Sequence, residues 1–138
     1  MFNVTRTFRV PVGHRLSKHL GLCKNIHGHN LKIQVSVSHF KLNDNDMVID
    51  FSDLKEIVNR YLEEWDHSLI LNIKDNMVDQ LSKSFKIFLI KGEPTAENLC
   101  LFLYQKISAE LELIEKSMFV NFIRVWENDD SYAEYRRE

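Results

Sequence analysis

The chain has 138 residues, 44% of them hydrophobic, with 18 Lys and Arg against 20 Asp and Glu for a formal charge of −2. That length suits one domain, residues 1–138, with a core of its own, and the near-balanced charge excludes the basic surplus that would draw the chain to nucleic acid or an anionic membrane. No apolar run approaches bilayer length, and the opening MFNVTRTFRV lacks a basic stretch followed by an apolar core, so no membrane contact and a cytoplasmic location are expected.

Taken in chain order, Phe2, Val4, Phe8 and Val10 alternate with Asn3, Thr5, Thr7 and Arg9, a period of two that predicts a strand with one wet face. Cys23 comes next; with Cys100 it makes too few cysteines for a disulfide scaffold, and both are expected as free thiols. Leu31, Ile33, Val35 and Val37 alternate with Lys32, Gln34, Ser36 and Ser38 as a second half-buried strand, ended by the loop 43–46. Ser52 is expected to cap a helix with Leu54, Ile57, Val58, Tyr61, Leu62 and Trp65 on one stripe. The run 86–90 reads either as a strand or as part of a connection, and Gly92 and Pro94 break the chain just after it. Thr95 then caps a longer helix, with Glu97 near its positive dipole end and Ala96, Leu99, Leu103, Ile107 and Leu111 along one face.

From Met118 to Glu127 both faces are apolar, Val120, Phe122 and Trp126 against Phe119, Ile123 and Val125. That pattern predicts burial on both sides, by helices on one and by another subunit on the other. Residues 131–136 pair back after a turn at 128–130. Strands, helix, helix, strands is the order of an α+β sandwich, an antiparallel four-stranded sheet with two helices packed on one face.

The chemistry concentrates near the second strand. His27 and His29, two apart in HGHN, point to one face of a strand, and a hairpin would bring His14 to the same end. Three imidazoles without a fourth protein ligand describe a catalytic zinc with an open position; three hairpin-end histidines with no ligand are the alternative. Cys23, four positions before His27, reads as a thiol beside the metal, as a small buried hydrophobe, or as a fourth ligand. Asp66 beside His67 can form an acid–base relay or can be a polar helix end. Glu127 ends an apolar strand, either as its exposed terminus or, facing a pocket, as an acceptor for paired N–H donors. Arg6, Arg15, Lys18, Lys24 and Lys32 are available to meet phosphates, with nothing to single one out.

Taken together and in order, GHRL, CKNIHGHN, MVIDFSDLK, WDHSLILN, PTAEN and VWEND resemble the motifs of the family that holds 6-pyruvoyl-tetrahydropterin synthase and 6-carboxytetrahydropterin synthase, from about residue 8 to the chain end. The resemblance implies the T-fold, whose sheets join between subunits into a barrel, commonly a homohexamer built as a dimer of trimers. It makes His14, His27 and His29 the Zn2+ ligands, Cys23 the proton-transferring thiol, and Asp66 and His67 a relay reaching Cys23 from a neighbouring subunit. Glu127 becomes the anchor of a small-molecule pterin substrate, with Thr95 and Glu97 near it. The compact Cys23 to His27 spacing looks like the carboxy branch, which makes 6-carboxy-5,6,7,8-tetrahydropterin from 7,8-dihydroneopterin triphosphate for 7-deazaguanine and queuosine synthesis. The pyruvoyl branch is the alternative, and a non-catalytic, zinc-stabilised T-fold binding protein is the alternative of another class. Val12-Gly13 before the first histidine, Ser68 after the relay pair and the longer 74–91 stretch depart from the family pattern.

Overall fold

The spine of the molecule, in a computed structural model that describes residues 1–138, is a pair of long antiparallel strands. β1 (Phe2–His14) and β2 (His27–His39) pair along their whole length, from Phe2 opposite His39 to His14 opposite His27. Phe8, Val10 and Val12 of β1 and Leu31, Ile33, Val35 and Val37 of β2 are buried, while Arg9 and Pro11 lie exposed between them. Both strands run further than their apolar alternation suggests, because histidines take over its phase. His14 follows Val10 and Val12 in steps of two, and His27 and His29 lead into Leu31 and Ile33, so imidazoles occupy core-facing positions at one end of the sheet.

The other strands build outward from this pair. β3 (Ser68–Asn72) lies parallel to β1, and β4 (Ile87–Ile90) lies parallel to β3. β5 (Phe119–Asn128) is antiparallel to β2, and β6 (Ser131–Arg136) closes a hairpin with β5. The sheet therefore has six strands in the order β4-β3-β1-β2-β5-β6 and is mixed, where the sequence pattern indicates four antiparallel ones. β3 escapes a period-two reading because all five of its residues are buried, giving a short continuous apolar run without alternation.

Two helices, α1 (Phe51–Trp65) and α3 (Ala96–Ile114), cover one face; the short α2 (Val78–Leu81) belongs to the crossover between β3 and β4. Thr95 caps α3 as expected, its hydroxyl accepting from the Asn98 N–H at 3.2 Å. The cap of α1 is Asp50 rather than Ser52: the Asp50 carboxylate accepts from the Ser52 N–H at 2.8 Å and its hydroxyl at 2.6 Å, so the serine is a donor inside the first turn. Leu54, Ile57, Val58, Leu62 and Trp65 of α1 and Leu99, Leu103, Ile107 and Leu111 of α3 pack onto the buried strand residues as one core. No helix is long and apolar enough to cross a membrane.

The double apolarity of β5 resolves through a register slip. Ser36 pairs with Phe122 but Val37 with Val120, leaving Asn121 as a bulge that changes the strand's phase. Val120 thereby joins Ile123 and Val125 against the helices, while Phe122 and Trp126 stand half-buried on the open face rather than enclosed within the chain. Cations cover them there: Lys32 Nζ lies 4.1 Å from the Trp126 ring centre and the Arg124 guanidinium 4.3 Å from that of Phe122.

Ile123 is fully buried between sheet and helices, so Ile123→Ala should cost about 2–5 kcal/mol in urea unfolding. Phe51→Ala, at a half-exposed ring, should stay within about 0.5 kcal/mol of the parent.

Candidate active site

The pairing of β1 with β2 brings the three histidines together: His14 faces His27 across the ladder, and His29 faces Val12 two positions along on the same side. Their ring centres lie 4.5 to 5.0 Å apart, and one ligand nitrogen from each falls within 4.8 Å of the others. Backbone carbonyls fix the tautomers. His14 Nδ1–H donates to the Pro94 oxygen and His27 Nδ1–H to the Asn25 oxygen, each at 2.8 Å, which leaves the Nε2 lone pairs to point inward. The Nε2 atoms of His14 and His29 are buried with no hydrogen-bond partner, an arrangement that costs stability unless something binds them. Burial, the largest influence, holds His14 below the usual histidine pKa although the Pro94 bond and Glu127 act the other way. Three converging imidazoles, two of them with buried ring nitrogens that lack a partner, and no thiol among them make a set that could hold a metal ion.

Glu127 stands at the open side of this cluster, with Oε1 4.0 Å from His14 Nε2 and Oε2 3.9 Å from His29 Nε2. It also lines a cavity of about 240 Å3 with Leu16, Thr95, Glu97 and Tyr132. The residues singled out for substrate, Thr95, Glu97 and Glu127, thus meet around one hollow that touches the histidines through Glu127. A larger cavity, about 540 Å3, lies at the opposite end of β2 around His39, Met47 and Glu115, away from the histidine cluster.

Cys23 sits in a single 3-10 turn (Leu22–Lys24), half-buried, its carbonyl accepting from the Leu16 N–H at 2.8 Å. Its thiol is outside the set of converging ligand atoms, which disfavours a fourth-ligand role. Cys100 is buried in α3 with its thiol donating to the Ala133 oxygen at 3.2 Å, and burial pushes its pKa up to about 12. Asp66 and His67 do touch: His67 Nδ1 lies 2.7 Å from Asp66 Oδ1. The pair comes directly after α1, where His67 takes a left-handed conformation (φ 56) and its N–H donates to the Pro11 oxygen at 2.9 Å. His67 is exposed and borders a shallow depression with Pro11, Gly13, Ile26, His27 and Gly28; no hydrogen bond joins it to Cys23 of the same chain.

Several residues around the site carry no recognisable pattern in the sequence. Arg15, a candidate for phosphate, is buried instead against Asp75, with Nε 2.8 Å from Oδ2 and Nη1 2.7 Å from Met77 Sδ. Glu93 accepts from the Ser17 hydroxyl at 2.8 Å, the Lys18 N–H at 2.7 Å and Asn72 Nδ2 at 3.1 Å. Partial burial raises its pKa, but those hydrogen bonds outweigh it and hold the carboxyl below its ordinary value. A lone acid before a proline in a loop gives no periodic or spacing signal, and a buried Arg–Asp pair 60 residues apart is set only by the fold.

Similarity to known proteins spans the chain. The sequence pattern of the family described as 6-pyruvoyl tetrahydropterin synthase matches residues 3–138. The chain is 32% identical over 160 aligned residues to the 6-carboxy-5,6,7,8-tetrahydropterin synthase of Aquifex aeolicus, covering 99% of each protein. It is 32% identical over 145 residues to the enzyme of that name from Haemophilus influenzae, again covering 99% of each. Among solved structures, an uncharacterized protein from Wolinella succinogenes superposes with a TM-score of 0.86 at 19% identity, covering 99% of this chain and 98% of that one. The 6-pyruvoyltetrahydropterin synthase of Plasmodium vivax superposes with a TM-score of 0.75 at 20% identity over 99% of each chain, which establishes the shared α+β T-fold. With its full-length sequence match and its fold in agreement, the chain belongs to the 6-pyruvoyl tetrahydropterin synthase family.

Proposed function

We propose that this protein is a zinc-dependent lyase that converts 7,8-dihydroneopterin triphosphate to 6-carboxy-5,6,7,8-tetrahydropterin, releasing acetaldehyde and triphosphate, in 7-deazaguanine and queuosine synthesis. The observation that carries the reading is the contact between the histidine cluster and the cavity: Glu127 borders both, so a substrate held there has its reactive side chain beside the ligand nitrogens. The carboxy product is favoured over the pyruvoyl one by relatives such as those of Aquifex aeolicus and Haemophilus influenzae, which carry the carboxy name over their whole length.

In this reading His14, His27 and His29 would hold a zinc ion, which would supply Lewis acidity toward the substrate's side-chain oxygens. Glu127 accepts from the paired N–H groups of the pterin ring, with Thr95 and Glu97 beside it, and so fixes which carbon faces the protein's base. Cys23 Sγ, as thiolate, takes the proton from that carbon. His67 Nδ1–H is held by Asp66, which leaves Nε2 to exchange a proton with the thiol. Triphosphate leaves by elimination, and one water then cleaves the carbon–carbon bond between the two carbonyls of the remaining side chain, its oxygen staying in the ring carboxylate while the two terminal carbons leave as acetaldehyde.

The relay is assigned to a neighbouring subunit. His67 is exposed and has no hydrogen bond to Cys23 within the chain, while Leu20 and Leu22, just before Cys23 in the loop, are fully or largely exposed apolar side chains without cover. A homohexamer built from two trimers would cover those side chains, and the open face bearing Phe122 and Trp126 would line the barrel.

Product analysis by mass spectrometry after incubation with dihydroneopterin triphosphate tests the reading: 6-carboxytetrahydropterin with acetaldehyde supports it, and a retained diketone side chain assigns the pyruvoyl branch. Cys23→Ala should lower turnover by about 10²- to 10⁴-fold while keeping zinc and fold; loss of zinc would make Cys23 a ligand. Purified protein should hold about one zinc per chain and His27→Ala should lose most of it, since two imidazoles bind far more weakly. Full retention in each of the three histidine variants overturns the metal site. Mixed oligomers of Cys23→Ala and His67→Ala chains should regain activity that neither has alone, and a fully active monomer in light scattering would refute the shared site.

A further inference from the structure

The loop that bears Cys23 is tied to the rest of the chain at very few points. Its backbone bonds are internal, Leu16 N–H to the Cys23 oxygen, His19 N–H to Leu16, Lys24 N–H to Gly21 and Asn25 N–H to Leu22. Every hydrogen bond that leaves residues 16–25 goes to Glu93, through Ser17 and Lys18, or to His27, through the Asn25 oxygen. Leu20 and Leu22 are exposed, so packing does not hold the loop tip within the chain either.

We propose that Glu93 is a positioning residue that sets the place of the Cys23 thiol relative to the histidine cluster. The path is short. The Glu93 carboxylate fixes Ser17 and Lys18, the buried Arg15–Asp75 pair fixes the residue on the other side, and Leu16 between them donates its N–H to the Cys23 carbonyl at 2.8 Å. The far side of Glu93 bears on the same site. Its carboxylate is steadied by Asn72 at the end of β3 and its carbonyl by Asn98 Nδ2 at 2.8 Å; the next residue's carbonyl orients His14, and Thr95 lines the cavity. Residues 93–95 therefore hold a histidine, the cavity wall and the base of the thiol loop in one frame. The role rests on the proposed part of Cys23 in proton transfer, where a displacement of about 1 Å can cost about a hundredfold in rate.

The test compares zinc-loaded, full-length Glu93→Ala, Glu93→Gln and parent protein in two assays, one of which needs no substrate. Iodoacetamide alkylation reads Cys23 alone, because Cys100 is fully buried with its thiol pKa pushed up. Glu93→Ala should keep its zinc and cooperative melting, change the alkylation rate at least about threefold, and lower kcat about tenfold or more with KM nearly unchanged. Glu93→Gln retains a carbonyl oxygen for Ser17 and Lys18 and should recover most of both readouts, which a general loss of stability would not reproduce. Parent-like alkylation and kcat in folded Glu93→Ala overturns the inference. If that variant folds poorly, Glu93→Asp, with the charge kept and the reach shortened, carries the same test, and unchanged alkylation there is equally fatal. A parent protein that alkylates at Cys23 but turns over no pterin would sink the lyase reading instead, leaving the placement of the thiol to be judged on alkylation.

Discussion

The register of β1 against β2 is the constraint on which the rest of the site depends. Because His14 pairs with His27, and His29 with Val12, three imidazoles come to occupy the core-facing side of the sheet at one end. A slip of one residue would turn His27 and His29 to the face opposite His14 and break up the cluster. The long apolar alternation of the two strands is what prevents that slip: Phe8, Val10, Leu31, Ile33 and Val35 share the buried face in this register, and a one-residue shift would expose one strand's set. Ordinary core packing thus fixes the geometry of a polar cluster that would not form by its own attraction.

That cluster has a cost the fold does not offset internally. Two Nε2 atoms are buried without partners, while the opposite ring nitrogens of His14 and His27 are committed to carbonyls. An unpaired polar atom in such a place typically costs about 1–3 kcal/mol. The rings of His14 and His27 cannot rotate away without breaking their Nδ1 bonds, so those lone pairs stay aimed at one point. This is the arrangement expected of a preorganised ligand set, where stability given up in the protein is returned by a bound cation.

Much of this is legible in the residues themselves, and the exceptions have physical reasons. Alternation locates β1 and β2, the turn at 128–130 locates β6, the apolar stripes locate α1 and α3, and Thr95 is identifiable as a cap. β3 is hidden because Leu69, Ile70 and Leu71 are buried together without alternating. The phase change in β5 is hidden because nothing in a run of apolar residues marks Asn121 as a bulge. The histidines and Cys23 can be nominated from spacing, and Thr95, Glu97 and Glu127 do share a cavity. Arg15 cannot be placed from sequence, since a charged residue next to His14 reads as exposed until Asp75 is known to lie against it. Glu93 gives no signal at all, because its importance lies in joining residues 17, 18 and 72, which only the folded chain brings together.

The parts of the site differ in how firmly the single chain holds them. The histidines stand on two paired strands, and Thr95 begins a helix packed on the core. Cys23 lies on a loop with two hydrogen-bonded attachments, and His67 projects from a left-handed turn into solvent. A proton relay needs its members within about 3 Å of one another at the moment of transfer, which an exposed turn and a sparsely tethered loop do not secure alone. Leu20, Leu22 and Ile26, close to Cys23 in the chain, lack cover, so the surface that leaves the loop loose is also one the proposed second copy would bury. In the proposed oligomer, the rigidly held histidines of each chain and the loosely held Cys23 and His67 at its edge would be complementary: assembly would order the loop and bring His67 to it in a single step.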